Sequence, residues 1–256
     1  MHLSLPTAGL DQYKSRSQRA RIATEAWAAA NLYCASCTSQ SIQSAARNNP
    51  VVDFSCPDCH APYQLKSRSS PIAARIVDAG YGQMCRAIRD DRTPNLLVMH
   101  YDLAAWRVLD LILIPRFAFS LAAIEKRKPL SAGARRAGWI GCNILLCRIP
   151  DEARLSLIKD GQPLSSAAVR RGYKRIKPLA DIGPQRRGWT LDTLAAIRSL
   201  RKESFTLADA YALAPGLAQL HPGNRHVRDK IRQQLQLLRN AGLITFTGRG
   251  NYRLHS

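Results

Sequence analysis

Two short cysteine pairs constrain this chain more than any other feature: Cys34-Ala-Ser-Cys37 and Cys56-Pro-Asp-Cys59. A Cys-x2-Cys knuckle turns two thiolates toward one point, and two such knuckles supply the four soft ligands of a tetrahedral Zn²⁺ site. Four thiolates leave no open coordination position, so the expected zinc is structural. His60 could replace one cysteine as a ligand. The bland alternative is four unrelated buried cysteines, which the repeated spacing argues against. Cys85, Cys142 and Cys147 read as small buried apolar residues. An odd total of seven cysteines does not suit a secreted disulfide framework, so a reducing bacterial cytoplasm is expected.

A second pattern is interleaved with the first. The apolar run Pro50-Val-Val-Asp-Phe54 predicts a strand with Asp53 near its end, and Ala61–Lys66 predicts a second strand. Side chains alternate along a strand, so Gln64 and Lys66 share a face. The Asp53 carboxylate, the Leu65 backbone carbonyl and the Gln64 amide oxygen are then hard donors for Mg²⁺. The Lys66 ammonium would stand beside an attacking water and counter charge on a phosphate. Taken alone, Asp-x10-Gln-x-Lys would also arise in an exposed polar hairpin; a zinc knuckle that pins both strands favours the catalytic reading. Glu25 is the one acid of a helix predicted over Ser17–Tyr33, facing either solvent or that centre.

Charge narrows the partner. The 256 residues carry 38 Lys+Arg against 18 Asp+Glu, a formal net charge of +20, which creates a field that attracts polyanions. Nucleic acid is the first candidate, with an RNA-bound or ribosome-associated zinc protein as another. The N-terminus lacks a charged segment followed by a sustained apolar run, and no apolar stretch is long enough to span a bilayer.

The rest of the chain reads as an α/β domain over residues 1–183 followed by a winged helix over 184–256. Pro71–Asp90 is predicted as a helix broken near Gly80 and Gly82, Asn95–Tyr101 and Trp106–Ile114 as strands, Arg154–Ile158 as a last strand, and Ser165–Lys177 as a basic connection. The segment Lys126–Ile140 combines Arg135 and Arg136 with small residues and Trp139. Its indole could contact a base or a methyl group, or could cover the core. Gly183–Gly188 is a basic linker. Helices are predicted over Trp189–Leu200, with Thr190 or Asp192 near the start, then from Thr206 to Tyr211, and over Asn224–Asn240; a hairpin tipped by Arg249 closes the chain. In that arrangement Asn224, Arg225, His226, Arg228 and Arg232 of the third helix face DNA, with Arg249 reaching the backbone or minor groove.

Several runs carry a specific likeness. Arg135-Arg-Ala-Gly-Trp-Ile-Gly-Cys-Asn-Ile144, Tyr13-Lys-Ser-x-Ser-Gln18, the cysteine frame around Asp53-Phe54, Lys230-Ile-Arg-Gln-Gln-Leu-Gln and Gly248-Arg-Gly-x-Tyr252 resemble the DpnI restriction endonuclease family over nearly the whole chain. The resemblance implies a PD-(D/E)XK nuclease domain with an embedded structural zinc and a C-terminal winged helix. It implies an enzyme that uses Mg²⁺ to cut double-stranded DNA at adenine-methylated GATC, between methyladenine and thymine, leaving blunt ends; oligomeric state is open, with a monomer cutting the strands in turn expected. Asp53 and Lys66 match the family motif, whereas Gln64 stands where that pattern has glutamate. An amide removes one negative charge and should weaken metal binding. A Gln-x-Lys ending is similar to that of Mrr-type nucleases, so activity is expected to persist.

Overall fold

The apolar residues of 95–99 and 111–114 form the two central strands of a seven-stranded sheet in the computed structural model, which describes residues 1–46 and 51–255. In chain order the elements are α1 (Arg16–Asn31), β1 (Gln43–Ser44), β2 (Phe54–Ser55), β3 (Pro62–Arg68), β4 (Arg75–Gly80) and α2 (Tyr81–Arg89). Then come β5 (Asn95–Asp102), β6 (Arg107–Ile114), β7 (Ile124–Lys126), β8 (Gly141–Leu145), β9 (Leu155–Lys159), β10 (Gln162–Pro163) and α3 (Ser166–Ile176). The C-terminal part holds α4 (Pro184–Ser199), β11 (Ser204–Thr206), α5 (Leu207–Ala212), α6 (Ala214–Leu220), α7 (Val227–Asn240), β12 (Ile244–Gly248) and β13 (Asn251–Leu254). The expected mixed α/β architecture is what forms. Among the described residues no helix is long and apolar enough to cross a membrane.

Two compact units divide these elements. The first joins Met1–Ala73, Pro94–Arg116 and Arg154–Lys174; the second joins Ala74–Thr93, Phe117–Ala153 and Arg175–Ser256. The large sheet of the first unit runs β1-β2-β3-β5-β6-β9-β10. Leu96, Leu97, Val98, Met99, Leu111, Leu113 and Ile114 are all buried, so β5 and β6 are covered on both faces, as a continuous apolar run requires. β3 pairs with β5 in parallel, setting Gln64 beside Leu96 and Lys66 beside Val98. On its other edge β3 pairs, among the described residues, with the two-residue β2. That leaves the backbone of β3 beyond Tyr63 open on the β2 side, where the candidate site forms.

The second unit contains a sheet of order β4-β8-β7 and a terminal sheet of order β11-β13-β12. α7 buries Ile231, Leu235 and Leu238, the residues its helical spacing marks, together with Gln234. Thr206 caps α5 in a reciprocal box with Asp209, as a Thr followed three residues later by an acid should.

Several expectations need correction. Pro71–Asp90 is not one broken helix: Arg75–Gly80 is a strand whose inward residues Ile76, Asp78 and Gly80 alternate with outward ones, and the helix starts only at Tyr81. Pro50, the predicted start of the first strand, lies outside the described residues. The strand itself begins at Phe54, so Asp53 precedes it rather than ending it. Ser165–Lys177, read as a connection, contains helix α3. α4 starts at Pro184, a residue suited to the first helical turn, so the segment read as a linker is helical and Asp192 lies in mid-helix. The helix expected from Asn224 starts at Val227. Asn224, Arg225 and His226 form the turn before it, because the Asn224 side-chain oxygen accepts the His226 N–H at 2.7 Å and closes a local turn.

Candidate active site

The cysteine frame closes as its spacing predicts. The four sulfurs of Cys34, Cys37, Cys56 and Cys59 lie within 4.8 Å of one another, with Cys34–Cys59 and Cys37–Cys56 both at 3.6 Å. Thiolates about 2.3 Å from a central ion would stand roughly 3.8 Å apart in a tetrahedron, so the donor set and its dimensions fit zinc. His60 is not part of the group. Backbone N–H groups of Ser39 and Cys59 point at the Cys37 and Cys56 sulfurs at 3.5 Å. Burial pushes the Cys34 thiol up, but hydrogen bonds from Ser36 and Tyr63 outweigh it and bring it down to about 6. Burial pushes Cys37 up to about 12 and raises Cys59 as well. Four thiolates this close repel one another, and a cation such as Zn²⁺ would let them share the space.

The cluster is tied to β3 through one side chain. The Tyr63 hydroxyl lies 3.1 Å from the Cys34 sulfur and accepts the Ala35 N–H at 3.2 Å. Tyr63 is 1 % exposed, and Gln64 follows it directly. From α3, the Arg170 guanidinium donates to the Cys34 and Ser39 carbonyls at 3.0 and 2.6 Å, clamping the knuckle from the other end.

Asp53 is fixed at three points. Its N–H donates to the Tyr63 carbonyl at 2.9 Å, its carbonyl accepts the Ala45 N–H at 2.9 Å, and its carboxylate accepts the Leu65 N–H at 2.7 Å. The carboxylate thus takes the place that a longer β2 would have filled, against the backbone between Gln64 and Lys66. A residue's N–H and C=O leave a strand toward the same edge, so the Leu65 carbonyl points to the side where the Asp53 carboxylate lies. Gln64 and Lys66, two apart on one strand, share a face. Gln64 is 9 % exposed and Lys66 is half-buried. The Asp53 carboxylate and the Leu65 backbone thus share one strand edge, with Gln64 and Lys66 flanking Leu65 on β3. Helix α1 borders this centre: Arg21 donates to Glu25 at 2.6 Å, and its guanidinium is held above its ordinary range first by Glu25 and also by the charge of Asp53. Glu25 is therefore occupied by Arg21. Thr24, on the same helix, reaches the Ser67 hydroxyl at 3.1 Å.

Residues 1–182 match DpnI, the Dam-replacing family, and residues 185–254 match DpnI_C, the Dam-replacing HTH domain. The chain belongs to the DpnI family. Membership supports a methylation-dependent restriction enzyme with DNA as its partner.

In the HTH domain of this DpnI-family chain, Arg225, His226, Arg228, Arg232 and Arg249 are exposed, and Asn224 is half-buried. The Arg228 guanidinium packs 5.5 Å from the Tyr211 ring centre. Arg249 sits at the turn between β12 and β13, where Gly250 takes a φ of +75° that a side chain would resist. In the first family segment, Arg135 and Arg136 are exposed and Trp139 is half-buried, with the Arg136 guanidinium 4.6 Å from its ring centre. The Trp139 ring rests on Gly141: a β-carbon there would come within 2.9 Å of it. Gly141→Ala should therefore displace the indole while sparing the fold. The expected result is a shift in tryptophan fluorescence at an unchanged thermal midpoint.

Sequence reasoning missed Tyr63, Ala45 and Arg170. Tyr63 and Ala45 act through a backbone path or one hydroxyl, and Arg170 lies 136 residues from Cys34, beyond the reach of local spacing.

Proposed function

We propose that this chain is a methylation-dependent type II restriction endonuclease that hydrolyses double-stranded DNA at adenine-methylated GATC, between methyladenine and thymine, leaving blunt ends. Residues 1–183 carry the chemistry as a zinc-stabilised PD-(D/E)XK domain, and residues 184–256 form a winged helix that reads DNA. The observation that carries the reading is the Asp53 carboxylate held at 2.7 Å on the Leu65 N–H, beside Gln64 and Lys66, in a chain of this family.

The donor set is all oxygen: the Asp53 carboxylate, the Leu65 carbonyl and the Gln64 amide, which suits Mg²⁺. When bound there, Mg²⁺ supplies Lewis-acid polarisation of the scissile phosphate. Asp53, fixed at three points, would hold the ion in place against the scissile phosphate. Lys66 stands on the water side, where its ammonium lowers the energy of hydroxide and of charge building on the phosphoryl oxygens. Arg135 and Arg136 contact the DNA backbone and Trp139 contacts the methylated base pair. Asn224, Arg225, His226, Arg228 and Arg232 approach the major groove, with Arg249 at the backbone or minor groove. The protein acts as a monomer, cutting the strands in turn.

Digestion of matched duplexes tests this: a GATC duplex methylated on adenine should be cut to blunt products and its unmethylated twin left whole. Gln64 favours one other reading, a non-catalytic methyladenine reader or repressor, because it removes a charge where a catalytic acid would help. Binding without cleavage of the methylated duplex would select that reading. On the catalytic reading, Gln64→Glu restores the charge and should lower the Mg²⁺ concentration for half-maximal rate by about tenfold, read from a metal titration of initial rates.

A further inference from the structure

We propose that His221 is a positioning residue for DNA reading, which holds the turn before α7 through a buried contact with Asp192 and Trp189. This inference rests on the DNA-reading role assigned above to that turn.

The contact is built from three elements of the second unit. Asp192, in the middle of α4, is 3 % exposed, and a carboxylate so buried needs partners for both oxygens. The Ser120 hydroxyl donates to one at 2.6 Å, and His221 Nε2–H donates to the other at 2.9 Å. The imidazole also lies flat on Trp189, with ring centres 3.8 Å apart and planes 15° apart. His221 is therefore held by its edge and by its face. It is the last residue before the turn, and that placement gives the contact its consequence.

The His221 carbonyl accepts the Asn224 N–H at 3.0 Å, closing a turn over Pro222 and Gly223, and the Asn224 side chain then receives the His226 N–H at 2.7 Å. Pro222 fixes one φ of that turn. The His226 carbonyl accepts the Lys230 N–H at 3.0 Å, so α7 grows directly from the turn. Hydrogen bonds thus run from Asp192 through His221 and Asn224 to His226, with the exposed Arg225 held between the last two, and the series starts at one imidazole. Pro222, Gly223, Arg225 and His226 are all exposed, so His221 supplies the turn's side-chain anchor to the interior.

A cavity of about 520 Å³ is lined by Asp192, His221 and Trp189, so water would reach the carboxylate once the imidazole is removed. Removing the ring should therefore loosen the turn without unfolding the unit. His221→Gln keeps a flat group and an N–H for Asp192; His221→Phe keeps the stack on Trp189 and loses the hydrogen bond; His221→Ala loses both.

The test uses the full-length chain in a cleavage-deficient Asp53→Asn background. Amide hydrogen exchange of the free protein should show faster exchange at Asn224 and His226 in His221→Ala, by tenfold or more, with α4 and β13 unchanged. Binding of a methylated GATC duplex should weaken about tenfold in His221→Ala, less in His221→Phe, and by under twofold in His221→Gln. The deciding arm is a double-mutant cycle: in an Arg225→Ala/His226→Ala background, His221→Ala should cost under twofold, because the groups it positions are already gone. Equal exchange in His221→Ala and the parent, equal binding, or a full tenfold loss persisting in the Arg225→Ala/His226→Ala background would each overturn the proposal. Failure of the Asp53→Asn parent itself to bind the duplex would instead overturn the DNA-reading assignment on which the proposal rests.

Discussion

Cys34→Ser and Cys56→Ser proteins should fail to fold cooperatively, and stripping the wild-type protein with a strong chelator should have the same effect. The segment between α1 and β3 has few buried apolar residues other than cysteine to organise it, Leu32, Ala35, Ile42 and Phe54 in the described part. Four convergent thiolates must supply the rest. Structural zinc sites contribute about 10–16 kcal/mol of apparent binding energy, comparable to or greater than the whole net stability of a domain. Losing one thiolate therefore removes more than the fold can spare. The checks are metal analysis, with one zinc per wild-type chain, and thermal denaturation followed by circular dichroism. Cys147→Ser is the control: that residue is exposed and outside the cluster, so its midpoint should not move. Because Tyr63 links the Cys34 sulfur to the strand that carries Gln64 and Lys66, zinc loss should also end cleavage.

Asp53→Asn should reduce the single-turnover cleavage rate by about 10³-fold while leaving duplex affinity within about twofold. The estimate follows from losing one charged metal donor, taken as about 4 kcal/mol of transition-state stabilisation, with each 1.36 kcal/mol a factor of ten. The asparagine oxygen can still accept the Leu65 N–H, so the β2–β3 geometry survives and the charge alone is tested. Asp53→Ala should be at least as inactive, with added loss of stability from the unanswered Leu65 N–H. Equal cleavage by wild type and Asp53→Asn would remove Asp53 from the chemistry.

What was legible in the sequence shares a physical cause. The cysteine knuckles and the same-face placement of Gln64 and Lys66 depend on spacings of two or three residues, which the chain cannot help displaying. The convergence of Asp53 on β3 was readable because a hairpin-length gap separates it from Leu65. The sequence suggested an acid at the end of a strand, however, and the structure puts it at the head of a two-residue one. Pro71–Asp90 misled because Gly80 and Gly82 mark helix breaks and strand boundaries equally well, and only pairing with β8 decides between them. The start of α7 misled because nothing in helical periodicity reveals that Asn224 turns back on His226. Buried polar pairs were invisible for a different reason. Thr190 meets Gln234, Ser120 meets Asp192, and Asp192 meets His221 at separations of 44, 72 and 29 residues. Each looks like an ordinary surface residue until its partner is in place.

The claim that Asp53, Leu65, Gln64 and Lys66 form a metal-dependent phosphodiesterase centre is tested most directly by single-turnover cleavage of the adenine-methylated GATC duplex across a Mg²⁺ titration. The account predicts a rate that is zero in EDTA, rises to saturation with Mg²⁺ in the wild type, and stays near zero at every concentration in Asp53→Asn. A duplex left whole by folded, zinc-loaded, DNA-bound wild-type protein at saturating Mg²⁺, or one cut equally well in EDTA, would contradict it.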